Sequence, residues 1–320
     1  MLKKKPATPR NETYLPVRVS MLGGFRLQAG GCEVDESLNR ARQLWNLLEY
    51  LIAFRHRDIS PDELVRTLWH DDEIGNPLSA LKNLVYRIRT IMTSQGIPFA
   101  KNMILCRRGT YSWNNALPTT VDTEEFERLI READEKDGQA AEQLKLYLLA
   151  LSYYKGDLLP KSSFEEWVVP LSTYYHSLYV RCVGKTVRLL TDAGRYQEIS
   201  DIAQQAIVID QFEESFHEAL ILAQIAMGNQ QRAISHYEHV TDLFYRNWGL
   251  SPQNGCAICI GKSSKICSMW KPTWKSSKRT CGKRRWLMAL SSASMRCSNT
   301  FTGFRRGPPC EPANRFFCCF

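Results

Sequence analysis

Between residues 76 and 92 the apolar positions fall on one stripe. Leu81, Leu84, Val85, Ile88 and Met92 recur at i, i+3, i+4, i+7 and i+11, which predicts an amphipathic helix over Asn76–Met92 with one face in a core. The other face carries Ser79, Lys82, Asn83, Tyr86 and Arg87, with Arg89 at its border. A shorter helix is predicted just before it, over Ser60–Trp69. Ser60 supplies a cap, Pro61 fills the first position, and Asp62 and Glu63 favour the positive end of the helix. Beyond the long helix, Ile104-Leu105-Cys106 and Thr110-Tyr111-Ser112-Trp113 flank Arg107-Arg108-Gly109, a hairpin with two arginines at its turn. Upstream, Arg40–Phe54 is a further amphipathic helix, burying Leu44, Leu47, Leu48, Leu51 and Ile52. Val17–Leu22 alternates as a strand, Gly23-Gly24 breaks it, and Phe25-Arg26-Leu27 resumes it. Gly30-Gly31 turns the chain into a short strand near Cys32-Glu33-Val34. A small sheet, three helices and a closing hairpin give residues 17–115 the order of an α+β winged helix, preceded by a flexible arm, 1–16.

From Val121 the period becomes helical almost throughout. Helices are predicted at Thr123–Lys136, Ala140–Tyr154, Phe164–Ala193 with a break near Pro170, Tyr196–Ile209, Glu213–Met227 and Gln230–Trp248. Gly194 and Gly228 each precede a helix and lie 34 residues apart, the period of tetratricopeptide (TPR) helix pairs. Such pairs bury their apolar faces only by stacking on neighbours, and Ala203, Ala206, Ala233 and Tyr237 are residues suited to those contacts. Residues 121–252 therefore read as an all-α TPR-like domain, with a generic helical bundle as the alternative.

Charge sharpens this division. The net charge of +9 hides a basic stretch over residues 1–120 (17 Lys/Arg, 11 Asp/Glu) and an acidic one over 121–253 (12 and 21). The remaining 67 residues hold 13 Lys/Arg against Glu311 alone, with eight of the 11 cysteines and no sustained period. They are expected to be unstructured, because without an amphipathic pattern the cost of ordering a chain goes uncompensated. The basic N-terminus is followed by no apolar run, so no signal peptide or membrane anchor is expected, and the protein is expected to be cytoplasmic with reduced thiols.

The order of elements resembles the OmpR-type winged helix joined to a bacterial transcriptional activator domain, the architecture of the SARP family (antibiotic regulatory protein activators). The marks are Val19-Ser20-Met21-Leu22-Gly23-Gly24-Phe25, Arg42-Gln43-Leu44-Trp45-Asn46-Leu47-Leu48, Leu64-Val65-Arg66-Thr67-Leu68-Trp69 and Ala80-Leu81-Lys82-Asn83-Leu84-Val85-Tyr86-Arg87-Ile88-Arg89. Further along come Val121-Asp122-Thr123-Glu124-Glu125-Phe126, Tyr154-Lys155-Gly156-Asp157-Leu158-Leu159-Pro160, Glu165-Glu166-Trp167-Val168 and Gly249-Leu250-Ser251-Pro252. The resemblance implies a DNA-binding activator of transcription whose helical domain serves self-association or partner contact. After Pro252 the family pattern stops, and the cysteine-rich, basic tail 253–320 reads as an aberrant, frameshift-like end.

On this reading Lys82, Asn83, Tyr86, Arg87 and Arg89 contact the major groove or phosphates from the recognition helix. Arg107, Arg108 and Thr110 in the wing reach phosphate or the minor groove, and Arg42 touches the DNA backbone. Against each stands a plain solvated surface. Tyr111 and Trp113 are expected to close the hairpin in the core. His236 and His239, at i, i+3, have a spacing that can hold a metal, but no second ligand pair accompanies them and a packed or solvated pair is expected. Cys256 and Cys259 have CxxC spacing with no second pair to complete a site. No phosphate-cradling loop or nucleophile elbow is present, so neither an enzyme, a cofactor nor a metal is expected. The expected partners are double-stranded promoter DNA, a second copy of the chain and RNA polymerase, with no membrane. The alternative is a TPR-like interaction scaffold whose winged helix does not bind DNA.

Overall fold

Strand β1 (Val17–Ser20) buries Val17 and Val19 and shows Arg18 to solvent, the alternation that one half-covered sheet face demands. It pairs antiparallel with β2 (Arg26–Ala29), which pairs in turn with β3 (Cys32–Asp35), setting Val19 opposite Leu27 and Leu27 opposite Val34. The computed structural model describes residues 15–69, 75–136 and 138–248. Nearly all of the expected arm, Gly249–Pro252 and the tail 253–320 lie outside the described residues.

Three helices follow the sheet and pack on one another: α1 (Arg42–Ala53), α2 (Pro61–Leu68) and α3 (Pro77–Ser94). The Ser60 cap forms where the sequence places it, and Asn76 caps α3 in the same way. The Ser60 hydroxyl accepts from the Glu63 amide at 3.2 Å, and the Asn76 side chain accepts from the Ser79 amide at 3.0 Å. A short helix, α4 (Ala100–Met103), leads into the hairpin of β4 (Ile104–Arg107) and β5 (Thr110–Trp113). Ile59 and Tyr111 exchange backbone hydrogen bonds at 2.8 Å, tying the approach to α2 onto that hairpin. Tyr111 and Trp113 are buried there, as expected.

One strand was not legible. β6 (Thr119–Val121) pairs parallel with the outer edge of β1, so the sheet runs β3-β2-β1-β6. The helical part then begins directly, with α5 (Asp122–Glu135) and α6 (Ala140–Tyr153). A 3-10 turn (Pro160–Ser162) follows, then α7 (Val168–Asp192), α8 (Tyr196–Ile209), α9 (Glu214–Ala226) and α10 (Gln230–Trp248). The predicted helix from Phe164 is corrected at its start. It begins at Val168, so Pro170 lies in the first turn, where a missing N–H breaks nothing. Residues 164–167 form a separate bend that carries Trp167. Gly194 and Gly228 adopt left-handed φ of 67° and 80°, and the helices after them start 34 residues apart. Ala203, Ala206 and Ala233 are buried, α8 packs against α9, and α9 against α10.

The two parts share a core, because one cluster of buried side chains runs from Val17 to Phe216. Several contacts fasten their junction. The buried Asp122 carboxylate accepts from the Met21 and Leu22 amides at 2.8–2.9 Å. Gly23, at φ 90°, donates its amide to the Asp157 carbonyl, and a Cβ at Gly23 would press on the Lys155 backbone at 3.1 Å. Trp167 donates its indole N–H to Asn46 Oδ1 at 2.8 Å and meets the Tyr50 ring edge-on.

Candidate nucleic-acid interface

Helix α3 separates its faces by burial. Leu81, Leu84, Val85, Ile88 and Met92 are buried, whereas Lys82, Asn83, Tyr86 and Arg87 are exposed, Tyr86 to 70%. None of those four exposed side chains makes a hydrogen bond or ion pair with another described residue. Two cations, an amide and a phenol thus stand together on one rigid helix with donors and acceptors uncommitted. That is the chemistry a helix needs to reach base edges and phosphates.

The hairpin adds a second basic feature. Arg107, Arg108 and Gly109 are exposed at its tip. The two-residue turn places Arg108 at φ 52° and Gly109 at φ 80°. A turn with both central residues left-handed suits the right-handed twist of the strands and selects Asn or Gly at its first position. An arginine there is a local compromise. Thr110 is half-buried, and its hydroxyl donates to the Arg107 carbonyl at 2.8 Å. Its proton closes the turn instead of facing outward.

Two other expected contacts are engaged elsewhere. Arg89 is half-buried and donates to the Ile104 carbonyl at 2.7 Å, bolting α3 to β4. Arg42 pairs with Glu165 at 2.6 Å and lies over the Phe164 ring, 3.3 Å from its centroid, so its charge is spent on the helical domain. Of the nine expected residues, Lys82, Asn83, Tyr86 and Arg87 share one face, Arg107 and Arg108 form the wing tip, and Thr110, Arg89 and Arg42 serve the fold.

His236 has a partner that its own sequence neighbourhood did not show. The His236 and His217 rings meet through Nε2 and Nδ1 at 3.1 Å, and His217 Nε2 contacts the Gln211 carbonyl at 2.9 Å. His239 joins them along a groove of about 460 Å³ bordered by Ile207, Val208, Ile209 and Leu243. Burial lowers the pKa of both, His236 to about 4, with the neighbouring imidazoles adding to it. Among the described residues no three His, Cys, Asp or Glu side chains are arranged to hold a metal ion. No helix of the described residues is long and apolar enough to cross a membrane.

Residues 121–257 match the family described as the bacterial transcriptional activator domain. Among solved structures the chain is similar to EmbR of Mycobacterium tuberculosis, determined in complex with a low-affinity phosphopeptide. The TM-score is 0.59 at 16% identity, covering 89% of this chain and 72% of EmbR. At that identity the likeness is one of fold, and it extends across both the basic sheet-and-helix part and the helical part. Comparison with curated proteins finds no match.

Proposed function

We propose that this chain is a SARP-type bacterial transcriptional activator, a reading supported by the match of residues 121–257 to the bacterial transcriptional activator domain, and that it recognises promoter DNA with α3 and its wing. The observation that carries the reading is the uncommitted face of Lys82, Asn83, Tyr86 and Arg87 opposite a fully buried stripe. Helix α3 lies in the major groove, where Arg87, Lys82 and Asn83 offer donors to guanine and adenine edges and Tyr86 packs on the sugar-phosphate wall. Arg107 and Arg108 follow the neighbouring phosphates from the wing. The acidic helical domain associates with a second copy on adjacent half-sites or with RNA polymerase. Its helices α8, α9 and α10 supply the stacked surface.

Replacing Lys82, Tyr86 and Arg87 together with Ala tests the reading, because all three are exposed and their removal leaves the buried stripe intact. Every hydrogen bond to a base that the variant can no longer make should cost about 1–3 kcal/mol of specific affinity, while the melting temperature stays nearly constant. The wild-type affinity should also fall steeply with salt as phosphate counterions are released. A triple variant that binds DNA as the wild type does would leave the scaffold reading in its place.

A further inference from the structure

Where the winged helix meets the helical domain, two carboxyl groups lie against each other. Glu49 sits in the middle of α1, fully buried within an unbroken buried run from Leu44 to Ile52. Its Oε2 accepts from the Ser162 hydroxyl at 2.8 Å. Glu36, in the loop after β3, has a side chain only 6% exposed, and its Oε2 pairs with Lys161 Nζ at 3.0 Å. The other oxygen of each, Glu36 Oε1 and Glu49 Oε1, is buried without a donor from any described residue. Lys161 and Ser162 are neighbours in the chain, so the two carboxyl groups they hold come together with one unmet oxygen on each. Ionised carboxylates only accept, so neither could supply the other's missing donor, and side by side in a buried site they repel.

We propose that Glu36 and Glu49 share one proton, and that this proton is the key of an interdomain latch whose clasp is Lys161 and Ser162. The charge balance supports it. Facing the pair from the 160–167 segment are Lys161 and Glu165; from α1 come Arg42, already paired with Glu165, and Tyr50, turned away toward Glu63; from the loop comes Asp35, held by Ser37. With one proton present, Glu36 balances Lys161 and Glu165 balances Arg42. Without it, Glu49 carries a buried negative charge with no cationic counterpart. Burial, reinforced by the charges of Glu36 and Glu165, raises the Glu49 pKa to about 8 against the pull of the Ser162 bond. The latch is therefore closed at neutral pH and opens in mildly alkaline solution, loosening the α1 contact with Ser162 and Trp167. It works whether or not the chain binds DNA.

The test compares the full chain with Glu49→Gln and Glu36→Gln by denaturant unfolding between pH 5 and 9. A proton held in the folded state and released on unfolding lowers the folding constant about tenfold per pH unit between the ordinary carboxyl range and about 8. Either Gln variant should remove that portion of the slope and still fold, because its amide N–H supplies the missing donor. The wild type should show an infrared carbonyl band of a protonated carboxyl at neutral pH that vanishes above pH 8 and is absent from the Glu49→Gln difference spectrum. Slopes unchanged in both variants, or no such band in the wild type, would overturn the proposal. If either variant failed to fold, the band would still decide it.

Discussion

The wing tip offers a perturbation in which stability and binding should move in opposite directions. Arg108 occupies a left-handed position at φ 52° in a two-residue turn, followed by Gly109 at φ 80°. A residue bearing a Cβ costs roughly 1–2 kcal/mol in that region, and Asn is among the few that visit it routinely. Replacement by Asn should recover part of this, about 0.5–1 kcal/mol, because Arg108 is exposed and gives up no internal bond. For a folded unit of this size that corresponds to a rise in Tm of about 1–3 °C. If Arg108 is retained for a phosphate, the same change should weaken DNA binding and reduce the slope of log K against log salt by about 0.9. Differential scanning calorimetry and fluorescence anisotropy over a salt series read the two effects. A variant that is more stable with an unchanged salt slope would show that the arginine does not meet the backbone. A variant of lower stability would show that the turn does not carry the strain inferred from its φ angles.

Arg89→Met should lower stability by about 1–3 kcal/mol, since it removes a charged donor to the Ile104 carbonyl, whereas Arg87→Ala should stay within about 0.5 kcal/mol. Equal melting temperatures for the two would return Arg89 to the DNA-facing set. The depressed histidines give an acid-side prediction. Neutral His217 and His236 are favoured by the fold, so their contribution is present above about pH 6.5 and disappears as the pH falls toward about 4. Hydrogen-exchange protection of α10 should drop over that window in the wild type and not in His236→Gln. An identical drop in both would place the acid sensitivity elsewhere.

Legibility followed the range of the causes. The boundaries of α8 and α10 were readable to the residue because a left-handed glycine sets each start and the apolar period runs unbroken after it. Helix α3 was readable because five apolar positions at helical spacing fix its face. β6 had no comparable signal. Three residues carry no measurable period, and they form a strand only because β1 offers a free edge about a hundred residues upstream. The site residues divide the same way. Lys82, Asn83, Tyr86 and Arg87 were assigned to the exposed face by helical geometry, and that is where they lie. Arg89 falls on the same side of the wheel, but β4 packs against that end of the helix and the Ile104 carbonyl takes the guanidinium. Arg42 looks like a free cation until the chain returns 123 residues later with Glu165.

Helix α1 shows why such departures concentrate at the junction. Its pattern marks Leu44, Leu47, Leu48, Leu51 and Ile52 as the buried stripe and leaves Asn46 and Glu49 for solvent. Both are buried instead, because residues 160–167 lie over that second face. A covering segment that brought only apolar side chains would leave an amide and a carboxyl unsatisfied, at about 1–3 kcal/mol or more each. This one brings the Trp167 indole N–H to Asn46 and the Ser162 hydroxyl to Glu49. Polar positions on the outer side of an otherwise apolar helix therefore mark where a second domain settles, provided that domain carries donors in matching order. In this chain the Glu165-Glu166-Trp167 and Pro160-Lys161-Ser162 segments carry them, so the two halves of the interface depend on each other. The one oxygen of Glu49 that no described residue meets with a donor is the place where a proton from solvent completes the fold.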